Sequence, residues 1–343
     1  MNKRLIKGLS LILSVVLIVA TVSCNKNEDS SSKSANKVPR IGISKLMPHP
    51  ALDATEQGLQ DYLKEKGIEV TYDLQNANGD ISTSSSIAQK FKDEKVDIAV
   101  GIATPTAQAL ANVFPPQSNV PVLFMAVTDP VDAGLVNSWE GDPTTNVCGV
   151  SDNTPVYEQI KLLVELTGAK TIGNVYASGE ANGVVLMNMA KDACERLGVR
   201  FVAQSISNTS EVKQATQSII DRVDAVYIAT DNAVISALPA VDEVCTRANK
   251  PLFAADPSNV PGLNCLVAWG FNYYSIGLEA GKMIEKILSG ENAGSLGSVV
   301  LSDPKQFELW FNLDTAEKLG ITIPEDLLDS AACVIKNGEM IRK

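Results

Sequence analysis

The chain has 343 residues, of which 45% are hydrophobic and 20% are charged, so it is long enough for about two domains with a large core. Its formal net charge is −11, and this acidic excess argues against binding to nucleic acid or to an anionic membrane surface. The composition is that of a globular protein without an electrostatic surface for polyanions.

The first 23 residues have the pattern of an export signal. Basic residues precede an apolar run at 9–20, which is shorter than the roughly 18 residues that cross a bilayer. Thr21-Val22-Ser23 then leads to Cys24, a pattern that resembles the lipobox of bacterial lipoproteins, in which the cysteine becomes the lipid-modified first residue. We expect a lipoprotein signal peptide at 1–23 and lipid attachment at Cys24. A plain signal peptide and an uncleaved anchor are the alternatives.

The stretch at 24–37 consists mainly of Ser, Asn and charged residues and offers almost nothing to bury. We expect it to be a disordered tether between the anchor and the folded part. Removal of the signal peptide would also remove three positive charges and no negative ones, which changes the formal net charge from −11 to −14.

The folded part begins with strands and helices that alternate. The hydrophobic pattern predicts a strand at 38–44, a helix at 51–66, a strand at 68–75, a helix after Asp80 or Ser82 as its cap, and, after further elements, a strand at 146–152 and a helix at 153–167. This order is typical of an α/β domain.

The same order of short apolar runs and polar residues occurs twice in the chain. The first copy comprises 96–105 and 120–130, and the second comprises 223–232 and 250–258, with a helical segment between the two members of each pair. The short β-branched runs are typical of parallel strands buried on both faces. The polar residues that follow these strands are Thr104, Asp129, Thr230 and Asp256. Because open α/β sheets bind ligands at that edge, the repeat predicts two such edges across a cleft.

A second series of elements starts near residue 169. It comprises a strand at 169–178, a helix at 180–197, a strand at 199–207, a helix at 210–221 and the second copy of the repeat. We therefore predict two Rossmann-like lobes with parallel sheets. A strand at 263–270, a long amphipathic helix ending at Gly290, a strand at 307–312 and a short closing helix with an extended segment follow. These late elements indicate that the chain crosses back between the lobes, which would make a hinge.

Several long blocks carry a more specific pattern. They include IGISKLMPHPALDATEQGLQDYLKEKG, DLQNANGD, AVTDPVDAGLV, GVSDNTPVYEQ, ATDNAVISA and GFNYYSIGLEAGKMIEKILSG. From about 39 to 328, the chain resembles the solute-binding proteins of the bacterial ABC transporter family that includes tryptophan- and tyrosine-binding lipoproteins.

This resemblance implies a type I periplasmic-binding-protein architecture with a three-crossing hinge and a ligand trapped between the lobes. It places lobe 1 at 38–150 plus 271–297, and lobe 2 at 151–270 plus 298–343. It also implies an ABC permease and an ATPase as separate chains, which agrees with the absence of a P-loop motif from this sequence.

The function that the resemblance implies is that of an extracytoplasmic solute-binding lipoprotein of an ABC importer, with an amino acid, and specifically an aromatic one, as the expected ligand. We expect no enzymatic activity, no cofactor and no metal, and a location at the outer face of the cytoplasmic membrane or in the periplasm. A hydrolase is disfavoured because the sequence has no GxSxG motif and a single histidine. Sugar or nucleoside binding, and a sensory lipoprotein that signals to a membrane receptor, are the alternatives.

A free amino acid presents two charges, and burying both requires partners for each. Hydroxyls and helix N-termini suit the carboxylate, and the candidates are Thr104 and Thr106 in the first lobe and Ser178, Ala181 and Asn182 in the second. An acceptor suits the ammonium group, and Asp256 is favoured because Thr230, Asp231 and Asn232 lie in the same lobe. Asp129 is the other candidate, although it could instead cap the turn that follows it.

His49 lies in the first strand-to-helix loop, where a capping role and a ligand contact are both open. The complete set of expected ligand-binding residues is Ser44, His49, Thr104, Thr106, Thr128, Asp129, Ser151, Ser178, Ala181, Asn182, Thr230, Asp231, Asn232, Asp256 and Asn272.

The cysteines after Cys24 have no spacing typical of metal ligands or of a CxxC motif. They are Cys148, Cys194, Cys245, Cys265 and Cys333. We expect buried apolar cysteines.

Overall fold

The computed structural model describes residues 37–343, and Val38–Lys343 forms one compact unit. The expected export signal, the lipid attachment site Cys24 and nearly all of the expected tether lie outside the described residues. Within the described part, no helix is both long and apolar enough to cross a membrane.

Strands and helices alternate in the first part of the described chain, as the sequence predicts. The elements are β1 (Arg40–Lys45), α1 (Pro50–Glu65), β2 (Thr71–Asn76), α2 (Ile81–Asp93), β3 (Ile98–Ile102), α3 (Thr104–Val113), β4 (Val122–Met125) and β5 (Val147–Ser151). The carboxylate of Asp80 accepts hydrogen bonds from the backbone N–H groups of Ser82 and Thr83, so Asp80 caps α2. Every residue of β3 and β4 is buried, as in parallel strands covered on both faces.

The second series repeats this alternation. Its elements are α4 (Val156–Thr167), β6 (Thr171–Ala177), α5 (Ala181–Leu197), β7 (Arg200–Ile206), α6 (Val212–Ile219), β8 (Ala225–Ile228), α7 (Asn232–Ser236), α8 (Leu238–Arg247), β9 (Leu252–Ala254) and β10 (Val267–Phe271). The single helix predicted after residue 232 is in fact two helices that meet at Ala237. Pro239 explains the break, because proline lacks an N–H and is accommodated in the first turn of a new helix.

The last part of the chain adds elements to both sheets. They are α9 (Tyr273–Leu288), β11 (Ser298–Val300), β12 (Phe307–Asn312), α10 (Leu313–Leu319), α11 (Glu325–Ser330), β13 (Cys333–Lys336) and β14 (Glu339–Arg342). Three of these strands are not predicted from the sequence. β11 is only three residues long, and β13 and β14 form a short hairpin that turns at Asn337 and Gly338, both of which have positive φ.

The strands form two sheets. The first has the order β11-β5-β4-β3-β1-β2, and the second has the order β14-β13-β12-β10-β9-β8-β6-β7. All pairs in the first sheet are parallel, whereas β12 runs antiparallel to β10, and β14 antiparallel to β13, in the second. The chain passes between the sheets after β5, after β10 and after β11. The predicted α/β fold with two lobes and three crossings is confirmed.

The predicted lobe boundary at 297/298 is placed too early, because it assigns β11 to the second lobe. β11 begins at Ser298, yet it pairs with β5 in the first sheet rather than joining the second. The chain therefore returns to the second sheet only after Val300. The other predicted boundaries of the lobes stay a prediction.

The long helix α9 is fixed to the first lobe by its contact with α1. A Cβ atom added to Gly277 would lie 2.1 Å from the carbonyl oxygen of Thr55, and one added to Gly58 would lie 2.2 Å from that of Tyr274. The backbones of the two helices therefore touch at these glycines. This contact also holds the start of α9, which immediately follows the second crossing, against the first lobe.

Candidate ligand-binding cleft

The carboxyl ends of the strands of both lobes face one cleft, whose outer part is a cavity of about 530 Å³. On the first lobe its wall is mostly apolar and includes Leu46, Met47, Pro48, Ile81 and Pro105. On the second lobe its wall is mostly polar and includes Glu180, Ser207, Asn208, Thr209 and Ser210. The cavity thus offers one apolar and one hydrogen-bonding side.

A second, much smaller cavity of about 10 Å³ lies next to the first and has roughly the room of one water molecule. Its lining comes from the first lobe, from two of the crossings and from the second lobe: His49, Leu52, Asp152, Tyr273, Thr230, Asp231, Asn232, Ile235 and Asp256. Pro48 and Ala233 line the outer cavity, while their neighbours His49 and Asn232 line the inner one. His49 and Asn232 therefore lie between the two cavities.

Five of the expected binding residues have buried polar atoms without a hydrogen-bond partner. They are Ser44 (Oγ), His49 (both ring nitrogens), Thr104 (Oγ1), Asn182 (Oδ1) and Thr230 (Oγ1). His49 and Thr230 line the inner cavity, whereas Ser44, Thr104 and Asn182 lie at a strand end or a helix start and line neither cavity. A buried polar group without a partner costs about 1–3 kcal/mol, so a polar ligand that completed these hydrogen bonds would stabilise the protein.

Other expected residues are bonded within the protein. Thr106 donates to the carbonyls of Ile102 and Ala103, Ser151 donates to that of Thr128, and Ser178 donates to that of Ile206. Asn272 donates to the Glu308 carboxylate through its side-chain amide. Ala181 is the first residue of α5 and is half-buried. None of these five expected residues lines either cavity.

Asp129 caps the turn that follows it, the alternative left open by the sequence. Its Oδ1 accepts hydrogen bonds from the backbone N–H groups of Val131 and Asp132, and Asp129 lines neither cavity. The neighbouring Thr128 is instead buried and donates a hydrogen bond of 3.3 Å to Asp152.

Buried carboxylates surround the inner cavity. Asp256 accepts from the backbone N–H of Ser258 and from the side-chain amide of Asn259. Asp231 accepts from the backbone N–H groups of Ala177 and Val234. Burial raises the pKa of Asp231 to about 6. No lysine or arginine is among the described residues that line the two cavities, so these carboxylates have no positively charged side chain in the cleft.

His49 precedes α1 but does not cap it with its side chain. Only 8% of the residue is exposed, and burial lowers the pKa of its imidazole, an effect that the nearby charge of Asp256 opposes. Neither ring nitrogen completes a hydrogen bond, although Asn232 lies close by. The sequence left open a capping role and a ligand contact for His49, and the structure shows no capping hydrogen bond from its side chain.

The start of α3 is held in a strained backbone conformation. Ala103 precedes the helix with φ 82° and ψ 155°, a region that residues other than glycine rarely occupy. This conformation turns the chain sharply from β3 into α3, so that Thr104 begins the helix at the cleft end of the sheet. A helix N-terminus with an unpartnered threonine hydroxyl suits an anion such as a carboxylate.

Three titratable residues that line the cavities are absent from the expected set: Asp152, Glu180 and Tyr273. The sequence does contain a signal for Asp152, because it follows β5 just as Asp129 and Asp256 follow their strands. Glu180 and Tyr273 lie at helix starts and carry no comparable signal.

The described residues contain no cluster of candidate metal ligands and no disulfide. No group of three or more His, Cys, Asp or Glu side chains there could hold a metal ion. The five described cysteines are free and buried, as expected for apolar cysteines.

Residues 40–335 match the family model of the ABC transporter substrate binding proteins. The chain belongs to this family. Membership confirms the resemblance seen in the sequence and, together with the fold, the type I periplasmic-binding-protein architecture. It also implies that this substrate-binding protein acts outside the cytoplasm.

Individual relatives cover nearly the whole chain. A tyrosine-binding protein from Clostridioides difficile (strain R20291) is 34% identical over 325 residues, which are 91% of this chain and 92% of that protein. An ABC domain from Streptococcus pneumonia, solved in complex with L-Trp, is 32% identical, with a TM-score of 0.81 over 87% of this chain and 100% of its own. The ligand-free, open structure of a substrate-binding protein with adhesive properties from Clostridium difficile is 35% identical, with a TM-score of 0.64 over 84% of this chain and 97% of its own.

The TM-score is higher for the ligand-bound relative than for the open one. The L-Trp complex superposes on this substrate-binding protein at 0.81 and the open structure only at 0.64, although both relatives are similarly distant in sequence. The chain is thus more similar in overall structure to the L-Trp complex than to the open relative, and residues of both lobes line the inner cavity, as in a closed arrangement. The small size of the inner cavity is consistent with such a closed arrangement.

Proposed function

We propose that this substrate-binding protein captures a free aromatic amino acid between its lobes and delivers it to an ABC permease. The observation that carries the proposal is the inner cavity, where buried carboxylates meet no positively charged side chain and buried polar atoms have no partner. An ammonium group supplies both the missing charge and the missing hydrogen-bond donors.

The ammonium group fits the inner cavity. It has about the size of a water molecule, and the cavity has room for about one. Asp256 faces this space and is almost completely buried, so its charge is poorly screened by solvent. The Thr230 hydroxyl lies in the same wall with its oxygen unpartnered.

The carboxylate of the ligand fits the helix starts outside the inner cavity. Thr104 begins α3 and has an unpartnered hydroxyl that can donate, and Asn182 lies in the first turn of α5. The Thr104 hydroxyl and the free N–H groups of the first turns can donate to a carboxylate. These two starts come from opposite lobes, so a ligand bound to both would hold the cleft closed.

The side chain of the ligand fits the outer cavity. An aromatic ring would lie along the apolar wall that includes Met47 and Pro105, while a phenol or indole N–H could reach the polar wall of the second lobe. Two relatives, a tyrosine-binding protein and an ABC domain in complex with L-Trp, support this ligand class.

The anchor and the partner chains belong to the same proposal. Residues 1–23 direct export, Cys24 carries the lipid, and the permease and the ATPase are separate chains. The family supports a binding role without catalysis.

A thermal-shift screen tests the proposal. The chain from residue 25 onward is unfolded and refolded to remove any bound ligand, and the amino acids are compared with sugars and nucleosides. A ligand at about 100 times its dissociation constant adds about 2.7 kcal/mol to the stability of the native state. We expect the melting temperature to rise with tyrosine, tryptophan or phenylalanine. A rise with a sugar or nucleoside and with no amino acid would refute the ligand class while leaving the family intact.

A further inference from the structure

Asp152 occupies the point where two of the three crossings meet. It follows β5 and starts the first crossing, while Tyr273 follows the second crossing and starts α9. The hydroxyl of Tyr273 donates a hydrogen bond of 2.8 Å to Oδ2 of Asp152, across 121 positions of sequence. One carboxylate therefore ties two segments of the hinge together.

The same carboxylate faces the inner cavity. Asp152 is 4% exposed, and its side chain accepts hydrogen bonds only from two neutral hydroxyls, those of Tyr273 and Thr128. Asp256, by contrast, already accepts from a backbone N–H and a side-chain amide. Asp152 is thus the cavity carboxylate whose charge is least compensated within the described residues.

Two further observations point to a ligand at this place. The imidazole of His49 and the hydroxyl of Thr230 line the same cavity, each residue is less than a tenth exposed, and neither group has a hydrogen-bond partner. A cavity of this size, bounded by carboxylates and by unpartnered polar groups, suits a primary ammonium group better than a neutral hydroxyl.

We propose that Asp152 binds the ammonium group of the ligand and, through Tyr273, couples that contact to closure of the hinge. The inference rests on the proposed function and assigns it a residue that joins binding to movement. The positive charge of the ammonium ion stabilises the ionised carboxylate of Asp152, which burial otherwise disfavours. The ionised carboxylate in turn accepts a stronger hydrogen bond from Tyr273. In the open form, separation of the two crossings would weaken this bond and release the ligand.

A dependence on pH follows from the burial of Asp152. Burial raises the pKa of its carboxyl group to about 6. The titratable groups that face it across the cavity are Asp256, Tyr273, Asp231 and His49. Near pH 5 the ligand-free protein holds a proton on Asp152, and an ammonium ion must displace it. Affinity should therefore fall as the pH falls below about 6, with release of a proton on binding.

The test is calorimetric titration of L-tyrosine and L-tryptophan into the chain from residue 25 onward, which contains the whole compact unit. Titrations near pH 5 and near pH 8, each in two buffers of different ionisation enthalpy, give the affinity and the number of protons released. We expect proton release near pH 5 and little near pH 8 for the wild-type protein. Asp152→Asn should bind about 10- to 100-fold more weakly near pH 8 and should lose most of the pH dependence.

Tyr273→Phe separates binding from closure, because it keeps the carboxylate and removes the link between the crossings. It should retain proton release, while the contraction on ligand binding, measured as radius of gyration by X-ray scattering, should decrease. Asp129→Asn, which changes an acid outside both cavities, should behave as the wild type.

The outcomes distinguish the two proposals. If the wild-type protein binds neither amino acid, the proposed function fails and this inference fails with it. If the wild type binds, but Asp152→Asn shows the same affinity and the same proton release, only the role of Asp152 is refuted. An affinity of the wild type that does not change between about pH 5 and pH 8 would also refute the role of Asp152, because its carboxyl group would not lose a proton on binding.

Discussion

The side-chain amide of Asn232 donates a hydrogen bond of 2.6 Å to Oε2 of Glu180, and this contact joins the start of α7 to the start of α5. Oε1 of Glu180 also accepts a hydrogen bond from the backbone N–H of Ala233. Burial, and in addition the charge of Asp231, raises the pKa of Glu180 to about 7. The protonation of this side of the cleft therefore changes close to neutral pH.

The stability of the ligand-free protein should fall as the pH rises from about 5 to about 8. Glu180 has a raised pKa in the folded state, whereas an unfolded glutamate titrates near 4.3, so the folded state binds more protons in this range. Each such proton changes the free energy of unfolding by about 1.4 kcal/mol per pH unit. Urea unfolding at several pH values measures the slope. Glu180→Gln should reduce it, while Glu165→Gln on the exposed face of α4 should not.

Asp256→Asn should weaken amino acid binding by about 1–3 kcal/mol. The substitution keeps the size of the side chain but removes the charge that faces the inner cavity, and a hydrogen bond to a charged group is worth about this much. Calorimetry at neutral pH measures the change. Asp129→Asn is the matched control, because Asp129 caps a surface turn and lines neither cavity. Equal affinities of the two variants would remove Asp256 from the site.

Ala103→Gly should cost less stability than Ala107→Gly, by about 1–3 kcal/mol. Both variants remove a buried methyl group and increase the freedom of the unfolded chain, but only the first relieves a positive φ of 82°. The difference in free energy of unfolding between the two variants isolates the strain. If Ala103→Gly were the more damaging of the pair, the backbone at the start of α3 would not be strained.

Gly277→Ala should destabilise the protein by several kcal/mol. Its new Cβ would lie 2.1 Å from a backbone carbonyl of α1, and neither helix can move without disturbing the start of α9. Gly179→Ala is the control, since a Cβ there would meet no atom within 4 Å. Thermal unfolding compares the two. Similar melting temperatures would show that α1 and α9 separate easily.

The repeat and the strand ends could be predicted from the sequence because their signals are local. Short apolar runs followed by polar residues indicate buried parallel strands and the edge where they bind a ligand. Five residues expected from that pattern, among them Thr104 and Thr230, have unpartnered buried polar atoms at the cleft. Others, such as Thr106 and Ser178, donate a hydrogen bond to a backbone carbonyl of their own lobe. No pattern in the sequence distinguishes the two groups.

The elements that sequence reasoning missed are those whose stability comes from neighbours. β11 has three residues and exists because β5 offers it an edge, and the hairpin of β13 and β14 is added beside β12. A short strand has too little pattern of its own to be recognised.

The sequence by itself determined the two lobes and their alternating elements, because hydrophobic period and turn residues act over a few positions. Its long sequence blocks separately carried the resemblance to the family. Only the tertiary structure decided which polar groups share the inner cavity. Asp152 and Tyr273 meet across 121 positions because two crossings run side by side, and His49 reaches Asn232 and Asp256 because the lobes are closed. Contacts of this kind depend on how the crossings bend and how the lobes pack, and those depend on the whole chain at once.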